Sequence, residues 1–465
     1  MGCYTSAVTT GQGGELDGRR TDVLDETPPD VRLPSRTKRR LAVLVVVAVL
    51  LALVAAGLTA LQAYNRGRTE ENFAAAEREV HEQANVGSWS EAKQALDGQA
   101  AALVRGDEKG WLAAVDPRQP QLREKYRSMF GNLRRLGVTA WSYNVFIPPV
   151  TAYGRPELEV PVTVAYCLHT SPCPPYVRND ATSAQAASIM EQQLSMTRRD
   201  GAYVIAAVKP PRGARAETLP WQGELVFAQG ERVTVAAPRS QASRLREAVT
   251  AADRAAVVAD RYARYVGNPQ PHYRVYLAGD TEWSTWFAGS PRRNAIGYAL
   301  PIGLAGTEVV LRIEELKGEQ LLKTTRHELG HVVTLSGSDQ RYSAIYDVHE
   351  WLVEGVAEYI GFTPKPATAN PRHRLVRSAE RLPDSLAVPP LTETASPDEV
   401  NRFYGLGHHA VDCMVDRFGE RRFFDFFKRV LRDEAGYREA SKAAYGVSWD
   451  DVDQACVAAI RRSAS

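Results

Sequence analysis

Two histidines and a glutamate carry the clearest chemical signal in the sequence, in the segment His327-Glu-Leu-Gly-His331. The flanking residues place apolar side chains at helical spacing and include no proline, so the segment predicts a helix. On a helix, residues four apart lie on one face, where two imidazole nitrogens can bind one Zn²⁺ at about 2.0–2.1 Å. Glu328 then points beside the ion, where a general base is needed to activate water.

A third ligand is expected downstream, in Trp351-Leu-Val-Glu-Gly-Val-Ala-Glu-Tyr359. A catalytic zinc site uses three protein ligands and leaves the fourth position for water or substrate. Glu354 is the candidate, supplied by a second helix. The alternative is that His327 and His331 are only two surface histidines on a helix.

The two motifs together, HELGH and WLVEGVAEY, resemble the gluzincin clan of zinc peptidases, which includes thermolysin and the membrane-alanyl-type aminopeptidases. They look most similar to the bacterial peptidase-MA-like domains, and the resemblance covers about residues 240–460. It implies a mostly helical metallopeptidase domain with a small β-sheet and one Zn²⁺. By this resemblance the ligands are His327, His331 and Glu354, and Glu328 is the catalytic base.

Glu358 matches, by the same resemblance, the acid that orients the first histidine ligand. A physical reason exists beside it, because a ligating imidazole needs a partner on its other nitrogen to fix its tautomer. The alternative is an exposed helical glutamate, which is common on helix surfaces.

Tyr404 matches the tyrosine by which aminopeptidase-type gluzincins donate a hydrogen bond to the oxyanion, although the lysine that usually follows is absent. His408 and His409 are rival donors, and all three residues are otherwise helix-start packing or capping residues. By the family's pattern, the strand from Glu308 to Ile313 pairs with the substrate backbone as an edge strand.

The expected activity is hydrolysis of peptide bonds in a peptide or protein substrate. The Gly-x-Met-Glu-Asn element that grips a free amino terminus is missing, which favours an endopeptidase over an exopeptidase. The proline-rich insert at residues 362–400 either covers the cleft or is a solvated loop. The alternative function is a zinc-binding but non-catalytic envelope or interaction module. A third option is a self-processing or regulatory protease acting on a membrane neighbour.

Residues 41–61 contain no charged side chain, and at helical rise they would span about 30 Å, the thickness of a bilayer's hydrocarbon core. Lysine and arginine at 38–40 precede them, so the positive-inside bias predicts a cytoplasmic N-terminus. We therefore expect a single-pass protein of the cell membrane with its catalytic domain extracytoplasmic. A cleaved signal peptide is the alternative.

The expected fold class is α+β: a transmembrane helix, a small cone-like α+β domain and the metallopeptidase domain. Helical patterns precede period-two patterns after residue 88, and this part resembles SnoaL-like or nuclear-transport-factor-like cones through the segment from Ala101 to Asp107, Trp111 and Trp141. The predicted boundaries are a disordered cytoplasmic tail at 1–40, the membrane helix at 41–61, a helical stalk at 62–87, the cone at 88–238 and the peptidase at 239–465.

Four cysteines follow the predicted membrane helix, and an even number on an oxidising side suggests two disulfides. The candidate pairs are Cys167–Cys173, which closes a short loop, and Cys413–Cys456; buried free thiols are the alternative. A net charge of +2 and the lack of a basic stretch interleaved with aromatic residues predict no nucleic-acid partner.

Overall fold

The computed structural model describes residues 88–465, apart from 146–156, 171, 175–187, 211–217, 288–294, 303–305, 337–341 and 393. The predicted tail, transmembrane helix and stalk at 1–87 lie outside the described residues. The described part forms an α+β fold with two separate β-sheets.

The N-terminal part consists of three helices followed by a four-stranded antiparallel sheet with strand order β1-β2-β3-β4. Apolar residues alternate along the strands, and those of one face pack against the helices around Trp111 and Trp141. The helices are α1 (Ser88–Arg105), α2 (Glu108–Ala113) and α3 (Pro120–Arg135). The strands are β1 (Val138–Val145), β2 (Glu157–Leu168), β3 (Ser188–Arg199) and β4 (Ala202–Lys209).

A second, five-stranded sheet follows, with strand order β5-β6-β7-β9-β8. Its central pairs β6–β7 and β7–β9 are parallel, and its outer pairs are antiparallel. The strands are β5 (Leu225–Gln229), β6 (Val233–Pro238), β7 (Tyr273–Ala278), β8 (Gly297–Pro301) and β9 (Thr307–Arg312). Because β5 and β6 belong to this sheet, the sheet runs across the boundary predicted between residues 238 and 239.

Both faces of the second sheet are covered. In β7, Val275 and Leu277 belong to the core shared with the long helices, whereas Tyr276 and Ala278 belong to the core that contains Trp221 and the N-terminal helices. Alternation along a strand sends successive side chains to opposite faces. The sheet therefore lies between the N-terminal part on one face and the helices on the other.

Helices make up most of the remaining chain. Helix α4 (Leu245–Val266) presents a row of buried alanines to β6 and to the helix at Gly318–Leu335, and small side chains allow this close packing. The others are α5 (Asp280–Thr285), α6 (Gly318–Leu335), α7 (Tyr342–Phe362), α8 (His373–Arg377), α9 (Pro397–Phe418), α10 (Glu420–Leu431), α11 (Tyr437–Tyr445) and α12 (Trp449–Ala464). Helical geometry is interrupted inside α7 at His349.

Both predicted cysteine pairs are disulfide-bonded in the structure. Cys167–Cys173 closes the loop after β2, and Cys413–Cys456 joins α9 to α12.

The predicted fold class needs a correction where it includes a membrane-spanning helix. Among the described residues, no helix combines the length and the apolar character that crossing a bilayer requires. Helix α4, for example, is amphipathic and keeps arginines such as Arg246 on its exposed side. The predicted single-pass placement in the cell membrane is therefore not supported by the described residues.

Candidate metal centre

Helices α6 and α7 bring three potential ligand atoms together. His327 and His331 lie one turn apart on α6, and Glu354 faces them from α7. The His327 Nε2 atom lies 3.2 Å from His331 Nε2 and 3.3 Å from Glu354 Oε2, and His331 Nε2 lies 3.5 Å from the same oxygen. The three atoms thus form a nearly equilateral triangle that can hold a metal ion.

The size of this triangle fits a small tetrahedral cation. Ligand atoms about 2.0–2.1 Å from a tetrahedral Zn²⁺ lie about 3.3 Å from one another, and the three observed edges bracket that value. The side chains are also buried, with His327 9% exposed and both His331 and Glu354 4% exposed. A buried carboxylate facing two imidazole nitrogens is stabilised by a cation at their centre.

The second nitrogen of His327 has its own partner. Its Nδ1 lies 3.1 Å from Oε1 of Glu358, which is one turn beyond Glu354 on α7. A proton held on Nδ1 by the charge of this carboxylate would leave the lone pair of Nε2 directed at the centre of the triangle. Glu358 is thus buried next to His327, 3% exposed rather than on the helix surface.

The other oxygen of Glu358 contacts the proline-rich insert. Asn370 donates its Nδ2 hydrogen to Glu358 Oε2 at 2.9 Å, and Arg372 donates from a guanidinium nitrogen at 2.8 Å. Arg372 also donates from Nε to Asn401 Oδ1 at 2.9 Å. The insert residues Asn370 and Arg372 therefore contact the metal centre indirectly, a role that the sequence analysis did not assign to them.

The electrostatics of the centre favour positive charge. Burial lowers the pKa of His327, but hydrogen bonds to Glu354 and Glu358 outweigh this effect and raise the pKa to about 10. Burial raises the pKa of Glu354, but the two imidazoles hold it well below its usual range. Burial also raises the pKa of Glu358, while Arg372 and His327 hold it well below its usual range.

Glu328 lies beside the triangle, between α6 and strand β8. Its carboxylate is so near Gly297, the first residue of β8, that an added Cβ there would lie 2.6 Å from Glu328 Oε1. Burial is the main reason why the pKa of Glu328 is raised, and His327 and His331 oppose that rise. A carboxylate in this position is suited to accept and return a proton at the centre.

The strand expected to pair with substrate is not at an edge. Residues Thr307–Arg312 form β9, which pairs with β7 on one side and with β8 on the other. Within the described sheet the edge on this side is β8. The edge-strand prediction for Glu308–Ile313 is therefore wrong, because the antiparallel strand β8, which the sequence analysis did not detect, covers that position.

Tyr404 lies close to the centre, whereas the rival histidines contact other residues. The ring centroid of Tyr404 is 6.0 Å from that of His327. His408 lies with its Nδ1 3.1 Å from Asn370 Nδ2, and His409 Nε2 lies 2.9 Å from Nδ1 of His373 in the insert. His408 and His409 thus connect α9 to the insert.

Gly297, Asn370 and Arg372 are the site residues that sequence reasoning missed. Each comes from an irregular segment or an edge strand, where no periodic pattern marks a side chain as inward-facing. The one available signal was the cationic character of the insert, which also fits a solvated loop.

Neither the protein-family models nor the curated proteins with which the chain was compared match it. The case for a function therefore depends on the residues and geometry of the centre.

Proposed function

We propose that the chain is a zinc-dependent peptidase, with endopeptidase action favoured. The observation that carries the proposal is the triangle of His327, His331 and Glu354 with the buried carboxylate of Glu328 beside it. A purely structural zinc site usually has four protein ligands, often cysteines. Here three ligand groups converge, a base adjoins them, and both disulfides lie in other elements.

The expected substrate is an extended polypeptide. Strand β8 is the edge of the second sheet within the described residues and begins at the Gly297–Glu328 contact. An extended peptide lying alongside this strand would have its scissile bond beside Glu328.

Each residue of the centre would have a separate role in the reaction. Bound at the triangle, Zn²⁺ would supply a Lewis acid that polarises the substrate carbonyl and activates water. Glu328 would take a proton from the attacking water and return it to the leaving amine. Glu358 would keep the Nε2 lone pair of His327 directed at the ion. Tyr404 is proposed as a hydrogen-bond donor to the oxyanion, in keeping with its position beside His327.

The deciding experiment compares the full chain with its Glu328→Gln variant for zinc content and for cleavage of an unstructured protein such as casein. We expect about one zinc per chain in both proteins and a loss of kcat/KM of about 10²–10⁴-fold in the variant, the usual size of a general-base effect. Glu319→Gln, an exposed position on the same helix, is the matched control and should keep full activity.

Three other results would redirect the proposal. Zinc in both proteins with no cleavage by either favours a non-catalytic zinc-binding module. Cleavage that survives Glu328→Gln contradicts the assigned base. Failure of the wild type to hold zinc contradicts the ligand set.

A further inference from the structure

The insert between α7 and α9 sends two polar side chains into the protein. Asn370 is only 3% exposed, and the side chain of Arg372 is 19% exposed. Neighbouring Arg374, in contrast, is exposed to solvent. Burial of an arginine is costly unless its charge and its hydrogen-bonding groups have partners, so the partners of Arg372 indicate what it does there.

Glu358 is the charged partner, and both of its oxygens are engaged. Oε1 faces His327 Nδ1 at 3.1 Å, while Oε2 accepts from Asn370 at 2.9 Å and from Arg372 at 2.8 Å. With Oε2 held by two donors, the carboxylate cannot rotate without breaking at least one charge-assisted hydrogen bond. The orientation of Oε1 toward the imidazole is thereby fixed.

Arg372 is itself held in place from three directions. Its backbone N–H donates to Asn370 Oδ1 at 2.9 Å, and its Nε donates to Asn401 Oδ1 at 2.9 Å. The guanidinium carbon lies 5.3 Å from the ring centroid of Tyr404, within the range of a cation–π contact. A planar guanidinium suits this arrangement because its donors point in fixed directions, which a lysine ammonium group does not reproduce.

We propose that Asn370 and Arg372 form a clamp on Glu358 that fixes the tautomer and orientation of His327 and so sets the affinity of the centre for its metal ion. Both are positioning residues, since they act on the ion through Glu358 and His327. The proposal rests on the metal centre of the proposed function and is independent of peptide hydrolysis. It assigns the insert a role in metal binding, in place of a solvated loop or a gate.

A merely structural role for Arg372 predicts a different pattern. If Arg372 only neutralised a buried carboxylate, its replacement would lower the stability of the metal-free protein without any specific link to zinc affinity. If it acts through Glu358, its effect on zinc affinity disappears once Glu358 has lost its charge. A double-mutant cycle separates the two cases.

The test measures zinc dissociation constants of the metal-stripped full chain by competition with a chromogenic chelator. The proteins are wild type, Arg372→Met, Arg372→Lys, Glu358→Gln and the Arg372→Met/Glu358→Gln double variant, with Arg374→Met as the exposed control. We expect affinity to fall about 10–100-fold in Arg372→Met, the usual cost of losing a group that supports a metal ligand. Arg372→Lys should restore part of the loss, the double variant should equal Glu358→Gln, and the control should match wild type.

Several outcomes would overturn the clamp. These are unchanged zinc affinity in Arg372→Met, additive losses in the double variant, or no zinc binding by the wild type. If Arg372→Met does not fold, the zinc affinity of Arg372→Lys replaces it in the test. An affinity between those of wild type and Glu358→Gln supports the clamp, and an affinity equal to wild type contradicts it. Weakened zinc binding without casein cleavage by the wild type would support the clamp and refute the peptidase. Glu328-dependent cleavage of casein, with zinc affinity unchanged in the Arg372 variants, would support the peptidase and refute the clamp.

Discussion

At the scale of single residues, a glycine beside the proposed base is as important for the site as the reacting side chains. Gly297 opens β8 directly against the carboxylate of Glu328, and an added Cβ would lie 2.6 Å from Oε1 and 3.0 Å from Cδ. Those atoms belong to the movable end of a side chain, so the carboxylate can shift aside without disturbing the fold. The proposed base therefore has its position because residue 297 has no side chain.

Replacing Gly297 with alanine should consequently impair chemistry more than stability. We expect kcat/KM for casein to fall about 10–100-fold, since a displacement of about 1 Å at a reacting group costs up to that much. Zinc content and the urea midpoint should change little. Gly98→Ala is the control, because a Cβ at that exposed helical position meets no atom within 4 Å. Full activity of Gly297→Ala would show that Glu328 has another working position.

At the scale of elements, two glycines set the distance between the helix that carries Glu354 and the helix that carries Tyr404. A Cβ at Gly355 of α7 would lie 2.6 Å from the carbonyl oxygen of Gly407 in α9, and a Cβ at Gly407 would lie 2.9 Å from Gly355 Cα. Both obstacles are backbone atoms, which cannot rotate away. The two helices can approach this closely only with glycine at both positions.

Gly407→Ala should force these helices apart. We expect a loss of about 1–3 kcal/mol in the free energy of unfolding, the usual cost of overpacking, together with weaker zinc binding because Glu354 is next to Gly355. Urea denaturation and chelator competition measure the two effects. Gly131→Ala, in α3 with open space around the added Cβ, is the control and should be as stable as wild type or more so. Equal stability of Gly407→Ala would mean that the helices can separate at no cost.

At the scale of the whole described unit, a pair of histidines joins the N-terminal sheet to the second sheet. His169, in the loop closed by the first disulfide, stacks on His272 with ring centroids 4.5 Å apart. Arg274 donates to the carbonyl oxygen of Leu168 at 3.2 Å in the same place. Burial and then the charge of Arg274 lower the pKa of both histidines, and that of His169 falls to about 4.

Acid should therefore destabilise this junction. A histidine whose pKa is lower in the folded state binds protons preferentially when unfolded, so stability is present above about pH 6.5 and declines as the pH falls toward 4. We expect the urea midpoint of the wild type to decrease across this window, and to decrease less in His169→Gln, which cannot gain that proton. Identical pH dependence in the two proteins would contradict the prediction.

The sequence by itself determined the features that depend on short spacings. Residues four apart on a helix share a face, so the chain had to bring His327 near His331 and Glu354 near Glu358. The pairing of α6 with α7 then brought His327, His331 and Glu354 together. The four cysteines after residue 61 allow three pairings, and the short loop between Cys167 and Cys173 favoured the one that the structure shows.

Only the tertiary structure decided the rest. The order of strands in the second sheet placed β8, not β9, at the edge, and strand order follows from long-range packing that no local pattern records. Arg372 reaches Glu358 from an irregular insert, and His169 reaches His272 from the loop after β2. Such contacts join segments distant along the chain through a single side chain each, so they leave no periodic trace in the sequence and appear only when the elements pack.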